Sequence, residues 1–184
     1  MFEDAIIFAT EAHQGQKRKG TQIPFIIHPL EVASIVGAMT TDEDLLCAAV
    51  LHDVVEDCED VSLSDIRETF GDNIANYVDL ESEDKEKTWI ERKGRTIDFL
   101  LHEAKPATKM IALADKLANI RSLSRDYKEL GDKLWERFNM KDKTKQSWYY
   151  RGMIDAFYEL NQFKEYDEYC KLVDEVFPAQ PENI

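Results

Sequence analysis

Apolar positions recur at helical spacing almost from the first residue of the chain. Phe2, Ala5, Ile6, Ala9 and His13 share one face and predict a first helix. The stretch GQKRKGTQIPF breaks the pattern, with Gly15, Gly20 and Pro24 marking a loop. Apolar spacing resumes in HPLEVASIV, where Pro29 suits the first turn of a helix and Leu30, Val32, Ala33, Ile35 and Val36 supply a broad apolar face. Thr41, with Asp44 after it, resembles a capping box and opens a third helix over roughly Asp42 to Val55. From Leu45 to Leu51 that helix is apolar on every side, which predicts a central, buried position.

SLSDIRETFG and DNIANYV then read as two short surface helices, and KEKTWIERKGRTIDFLLHEA as a longer amphipathic one. ATKMIALADKLANIRSL has a wide apolar face and ends near Ser124. WERF and a polar, Lys-rich loop, MKDKTK, lead to two more amphipathic helices. Tyr149, Met153, Ala156 and Leu160 mark one; Tyr166, Cys170, Val173 and Phe177 mark the other. No segment alternates as a strand, none repeats, and no shift in composition marks a boundary. The expectation is an all-α chain forming a single domain over residues 1–184, with 126–184 a C-terminal helical extension packed on the rest.

Composition narrows the function. Hydrophobic residues make up 43% of the 184, enough for a sizeable core. A net charge of -14 disfavours DNA, RNA and anionic membranes as partners, while a small anionic substrate remains compatible with a locally opposed field. Cys47, Cys58 and Cys170 form no C-x-x-C pair and suit a reducing cytoplasm. No N-terminal signal pattern and no apolar run of membrane-spanning length is present.

The chemistry concentrates in LHDVVED, residues 51–57, where an apolar run passes into His52, Asp53, Glu56 and Asp57. On a helix, His52 lies one turn from Glu56, and Asp53 one turn from Asp57. Like charges this close repel, and burial raises the cost. Yet residues 20–66 contain no Lys or Arg to compensate. Two readings stand side by side: a bound metal ion, for which His and Asp offer nitrogen and oxygen ligands, or a helix end whose acids face water. For Glu59 and Asp60 the solvated reading is adopted. His28 follows the apolar run PFII, and Asp115 interrupts the apolar face of MIALADKLANI with Asn119 one turn later. A buried Asp needs a partner: a backbone amide, a Lys, or the same metal.

The segments AHQGQKRKGTQIPFIIHPLEVASIV, AAVLHDVVEDCEDVSLSDIRETFGDNI and ALADKLANIRSL together resemble the hydrolase domain of RelA/SpoT-type enzymes, within the HD phosphohydrolase superfamily. They resemble its small, hydrolase-only relatives most, over roughly residues 5–125. The resemblance implies an HD-domain helical bundle holding one divalent ion, usually Mn²⁺, in a central cleft. It implies removal of the 3′-pyrophosphate from guanosine tetraphosphate or pentaphosphate alarmones. Carried over by motif, the metal ligands are His28, His52, Asp53 and Asp115, and Glu56 and Asp57 match the acidic pair beside the metal. Asn119 matches an asparagine one turn after the last ligand, and Arg18 an arginine upstream of the first histidine. Cys58 stands where Thr is common, and ESEDKEK replaces a Gly- and Thr-containing stretch.

In such a site the ion acts as a Lewis acid and lowers the pKa of water. Crowding of Glu56 and Asp57 is expected to raise one carboxyl pKa and suit it to proton transfer, with Asn119 completing the catalytic set. Arg18, Lys85 and Lys116 are the cations assigned to the substrate; most other Lys and Arg on helices are expected to solvate a face. His13 reads as a core histidine. Trp135, Trp148, Tyr149 and Tyr150 read as core, with one tyrosine reaching the cleft if the tail folds over it. Three rivals remain: an enzyme dephosphorylating another nucleotide, such as reduced NADP, a non-catalytic nucleotide sensor on the same scaffold, and a structural metal site, against which the expected open coordination positions count. Intact Glu56, Asp57 and Asn119 argue against the sensor. Oligomeric state is left open by the sequence.

Overall fold

A computed structural model describes residues 1–80 and 86–178. Ten α-helices follow in order: α1 (Phe2–Ala12), α2 (Ile27–Met39), α3 (Glu43–Leu51), α4 (Val54–Asp57), α5 (Leu63–Phe70), α6 (Asp72–Leu80), α7 (Trp89–His102), α8 (Pro106–Leu130), α9 (Lys143–Ala156) and α10 (Lys164–Val176). Among the described residues the one extended pairing is an isolated bridge between Lys17 and Pro24, at the base of the loop after α1.

The all-round apolar character of α3 places it at the centre, against α1, α2, α6 and α8. Cys47, Ala48, Ala49, Val50 and Leu51 are fully buried there. Each large side chain of this kind contributes roughly 1.5–3 kcal/mol relative to exposure. The longest helix, α8, packs against α2 on one side and α10 on another, while α7 packs on α9. One contiguous core runs from Ala5 to Phe177, so the residues after 126 share the interior of the earlier helices.

Four boundaries differ from the sequence expectation. The residue capping α3 is Asp42, whose side chain accepts from the Asp44 amide; Thr41 takes no part in that bond. The expected continuous helix from Asp42 to Val55 stops at Leu51 and restarts at Val54. The cause is local: His52 Nδ1 donates to the Ala49 carbonyl at 2.8 Å, the acceptor that the Asp53 amide takes in an unbroken helix. The Asp115 helix runs past Ser124 to Leu130, where Gly131, at φ 56°, ends it. The Tyr149 helix closes at Ala156, with Leu160 in a separate 3-10 turn.

Two capping boxes set the surface helices. Ser62 and Asp65 start α5, and Thr88 and Glu91 start α7. The latter fixes where Trp89 enters the fold.

Candidate metal centre and cleft

The break between α3 and α4 turns His52 and Asp53 inward together. Asp53 sits at φ -93°, ψ -9°, the bridge region where functional residues often lie. From α2, His28 comes in beside them, its ring 5.2 Å from that of His52 and edge-on to it. One ligand atom from each of His28, His52 and Asp53 lies within 4.8 Å of the others. Asp115, from the middle of α8, completes the group: its Oδ1 is 3.0 Å from His28 Nε2 and 3.8 Å from His52 Nε2.

The donor chemistry fits a cation. Because His52 Nδ1 carries the proton given to Ala49, Nε2 of the neutral ring presents a lone pair. That atom is buried and finds no aligned hydrogen-bond partner among the described residues, although Asp53 Oδ2 lies 3.1 Å away. His28, His52 and Asp53 thus gather around one point with Asp115 beside both histidines, a mixed nitrogen and oxygen set suited to a divalent transition ion. Without an ion, a proton must offset this charge. Burial opposes it, yet Asp53 and Asp115 outweigh burial and raise the His52 pKa to about 10. Burial likewise pushes Asp53 up, but His52 and His28 pull it down to about 2. Asp115 lies well below the usual carboxylate range, burial being outweighed by Lys116 and the two histidines.

Asp115 is held from outside the group as well. Lys116 Nζ contacts its Oδ2, and Asn119 Nδ2 donates to its Oδ1 at 2.7 Å. Asn119 Oδ1 in turn accepts from Arg18 at 2.7 Å. The amide orientation follows from chemistry, since arginine only donates and an ionised carboxylate only accepts.

The group opens into a cleft of about 490 Å³. Glu56, Asp57, Arg18, Lys116 and Asn119 all line it, so nine of the ten residues singled out as metal, catalytic or substrate contacts meet in one place. Lys85 lies outside the described residues. Among the described residues, seven Lys or Arg and six Asp or Glu line this cleft, in a chain whose net charge is -14. The local balance therefore favours an anion far more than the surface as a whole does. Lys19, Arg92 and Lys93 add to the lining, whereas Lys109 and Arg121 are engaged elsewhere, with Glu159 and with Glu31 and Glu168. His13 is a core histidine, bonded to Gln16, and His102 is exposed beside Asp98. Glu59 and Asp60 are exposed.

Sequence reasoning missed three walls of the cleft. Phe25 lies under the Arg18 guanidinium at 5.6 Å, Trp89 stands at the start of α7, and Gln146 comes from α9. The Thr88–Glu91 box is the one signal that could have placed Trp89 at a helix mouth. Tyr150 does reach the cleft while remaining buried. Trp148, expected in the core, is 43% exposed.

A helical bundle whose His28, His52 and Asp53 could hold a metal ion beside an anion-compatible cleft fits the class of metal-dependent hydrolases, and comparison with known proteins agrees. The HD domain family model matches residues 5–141, and the chain belongs to that family. It is 38% identical over 125 residues to the mouse guanosine-3′,5′-bis(diphosphate) 3′-pyrophosphohydrolase MESH1, covering 66% of this chain and 69% of the mouse protein. The Vibrio cholerae protein of the same enzyme name is 36% identical over 124 residues, 64% of this chain but 17% of that longer protein. Among solved structures, a metazoan SpoT ortholog described as hydrolysing ppGpp superposes with a TM-score of 0.75, at 28% identity, over 92% of this chain and 93% of its own. A Listeria monocytogenes protein, lmo0812, superposes equally well at 33% identity, over 83% and 99%.

Proposed function

We propose that the chain is a metal-dependent 3′-pyrophosphohydrolase of the guanosine alarmones ppGpp and pppGpp. The observation that carries this reading is the convergence of His28, His52, Asp53 and Asp115 beside a cleft that also holds Glu56, Asp57, Arg18 and Asn119. The relatives named for this activity support the choice of nucleotide.

In this reading His28, His52, Asp53 and Asp115 would hold one divalent ion, Mn²⁺ by preference, which would supply Lewis acidity that makes water a stronger nucleophile. Glu56 and Asp57, one turn on, take the water's proton as its oxygen joins the phosphorus attached to the ribose 3′-oxygen. The 3′-oxygen–phosphorus bond breaks, the 3′-oxygen takes the proton that the acidic pair removed from water, and pyrophosphate leaves. Arg18 and Lys19 grip phosphate oxygens on the open side. Asn119 is committed at both ends, so its role is to orient Asp115 and Arg18. Lys116 fixes the other Asp115 oxygen while its charge reaches the cleft.

We further read residues 1–184 as a single functional domain, with 126–184 forming one wall of the cleft through Arg137, Gln146 and Tyr150. Three free thiols suit a reducing compartment such as the cytoplasm, and no helix among the described residues is long and apolar enough to cross a membrane. The excess acidic charge disfavours nucleic-acid polymers as partners.

A turnover panel with Mn²⁺, containing ppGpp, pppGpp, reduced NADP and simple nucleotides, tests the substrate assignment. Pyrophosphate release from both alarmones is expected. Hydrolysis of reduced NADP alone would replace the assignment, and binding without turnover of any would leave a sensor.

A further inference from the structure

The acidic pair sits on a helix of a single turn, and one turn does not hold itself. We propose that Gln16 is the positioning residue for that turn, with its side-chain amide oriented by His13. Gln16 Nε2 donates to the Asp57 carbonyl at 3.0 Å and lies 3.7 Å from Cys58 Sγ. The Asp57 carbonyl is one of the last in α4, beyond the reach of that helix's own amide ladder. Gln16 Oε1 accepts from His13 Nδ1 at 2.9 Å. Cys58 closes the group, its thiol donating to the Ala12 carbonyl at 3.4 Å and lying 3.5 Å from His13 Nδ1.

Donor and acceptor logic fixes every orientation here. A backbone carbonyl only accepts, so Nε2 of Gln16 must face Asp57. Oε1 then faces His13, which must carry its proton on Nδ1. His13 is 3% exposed, and its Nε2 has no partner among the described residues. The ring packs at 4.7 Å on Phe25 with Nδ1 turned to Gln16.

The placement matters because the same loop also serves the substrate side. Gln16 points to α4, and Arg18, two residues on, points to Asn119. The Gln16 carbonyl accepts from the Phe25 amide at 3.0 Å, closing the loop that carries both. Loss of the Gln16 amide loosens the turn that carries Glu56 and Asp57, and leaves the ion ligands and Arg18 in place.

The inference rests on the hydrolase reading, so its test carries one readout independent of turnover. Gln16→Met keeps length and removes both polar atoms, and Gln16→Glu keeps the acceptor and loses the donor. With the Mn²⁺-loaded full chain and ppGpp, both should lose kcat by about 10–100-fold, the range for groups that orient site residues, while KM and bound Mn²⁺ stay unchanged. His13→Asn, whose side-chain nitrogen can occupy the Nδ1 position, should retain kcat, whereas His13→Phe should fall with the Gln16 variants. Amide hydrogen exchange over residues 54–58 should quicken in Gln16→Met whatever the activity. Unchanged exchange, or unchanged kcat in an active protein, overturns the proposal. Equal loss of kcat and Mn²⁺ in every variant, His13→Asn included, also overturns it, since that marks general damage. An inactive parent with quickened exchange in Gln16→Met sinks the hydrolase reading and sustains the anchoring of the turn.

Discussion

The Arg18 guanidinium donates to Asn119 Oδ1 at 2.7 Å, and through that one amide it is joined to Asp115. A cation on the open side of the cleft and a carboxylate oxygen on its floor therefore share one support. Asn119→Leu removes both bonds and nothing else of comparable size. Loss of such a support typically costs 10–100-fold, so kcat/KM for ppGpp is expected to fall by about that much. Steady-state kinetics at saturating Mn²⁺ measures it, and a parent-like value would show that Asp115 and Arg18 hold their own positions.

The charge at the site makes a pH prediction. In the ion-free protein His52 binds its proton more tightly when folded, with a pKa of about 10 against the ordinary 6.5. The stability this gives is fully present below pH 6.5 and is lost as pH rises through 10. Asp53, held at about 2, contributes stability that is present above pH 3.8 and lost as pH falls through 2. Thermal unfolding of chelator-treated protein should therefore show Tm declining from pH 6.5 towards 10. Adding Mn²⁺ should flatten that decline, because the ion takes over the proton's role. An ion-free Tm that stays level over this range would contradict the site's electrostatics.

At the edge of the cleft, Arg121 pairs with both oxygens of Glu168 at 2.7 Å each and with the lining residue Glu31 at 3.1 Å, tying α8 to α10 and α2. Glu168 and then burial are the main opposing influences on its proton affinity, with Glu168 raising it. The side chain is 35% exposed, so water screens much of that attraction. Arg121→Met should cost roughly 1 kcal/mol and a few degrees of Tm. Turnover of ppGpp should stay close to the parent. A large loss of turnover at unchanged Tm would move Arg121 into the working site.

Gly20 offers a steric check on the cleft's far wall. Its φ is 72°, and a Cβ there would meet Arg137 Cδ at 2.6 Å. Arg137 is also bonded to Asp126 at 2.9 Å, so it cannot move freely. Gly20→Val should strain the loop carrying Arg18 and raise KM for ppGpp more than it lowers kcat, which initial-rate kinetics resolves. An unchanged KM would separate this loop from substrate binding.

Much of the fold was legible because burial imposes periodicity: the all-round apolar run of α3 and the wide face around Asp115 both ended up inside. The gathering of His28, His52, Asp53 and Asp115 was legible for the complementary reason, as titratable groups inside apolar surroundings require a partner. The break at His52 was not, because it depends on a ring nitrogen taking the Ala49 carbonyl, a side chain–backbone bond that no hydrophobic pattern encodes. The end of α8 was set too early because SRDYKEL is polar, although Tyr127 packs on Trp135 and carries the helix onward. The aromatic walls were hidden since Trp89 and Tyr150 use one face for the core and another for the cleft.

The most direct test of the account pairs ion content with product analysis on one sample. Purified protein reconstituted with Mn²⁺ should hold one ion per chain and convert ppGpp to GDP and pyrophosphate in equal amounts. Asp53→Ala should lose the ion and the products together. An ion bound in the parent with no pyrophosphate released, or turnover that survives both chelation and Asp53→Ala, would contradict it.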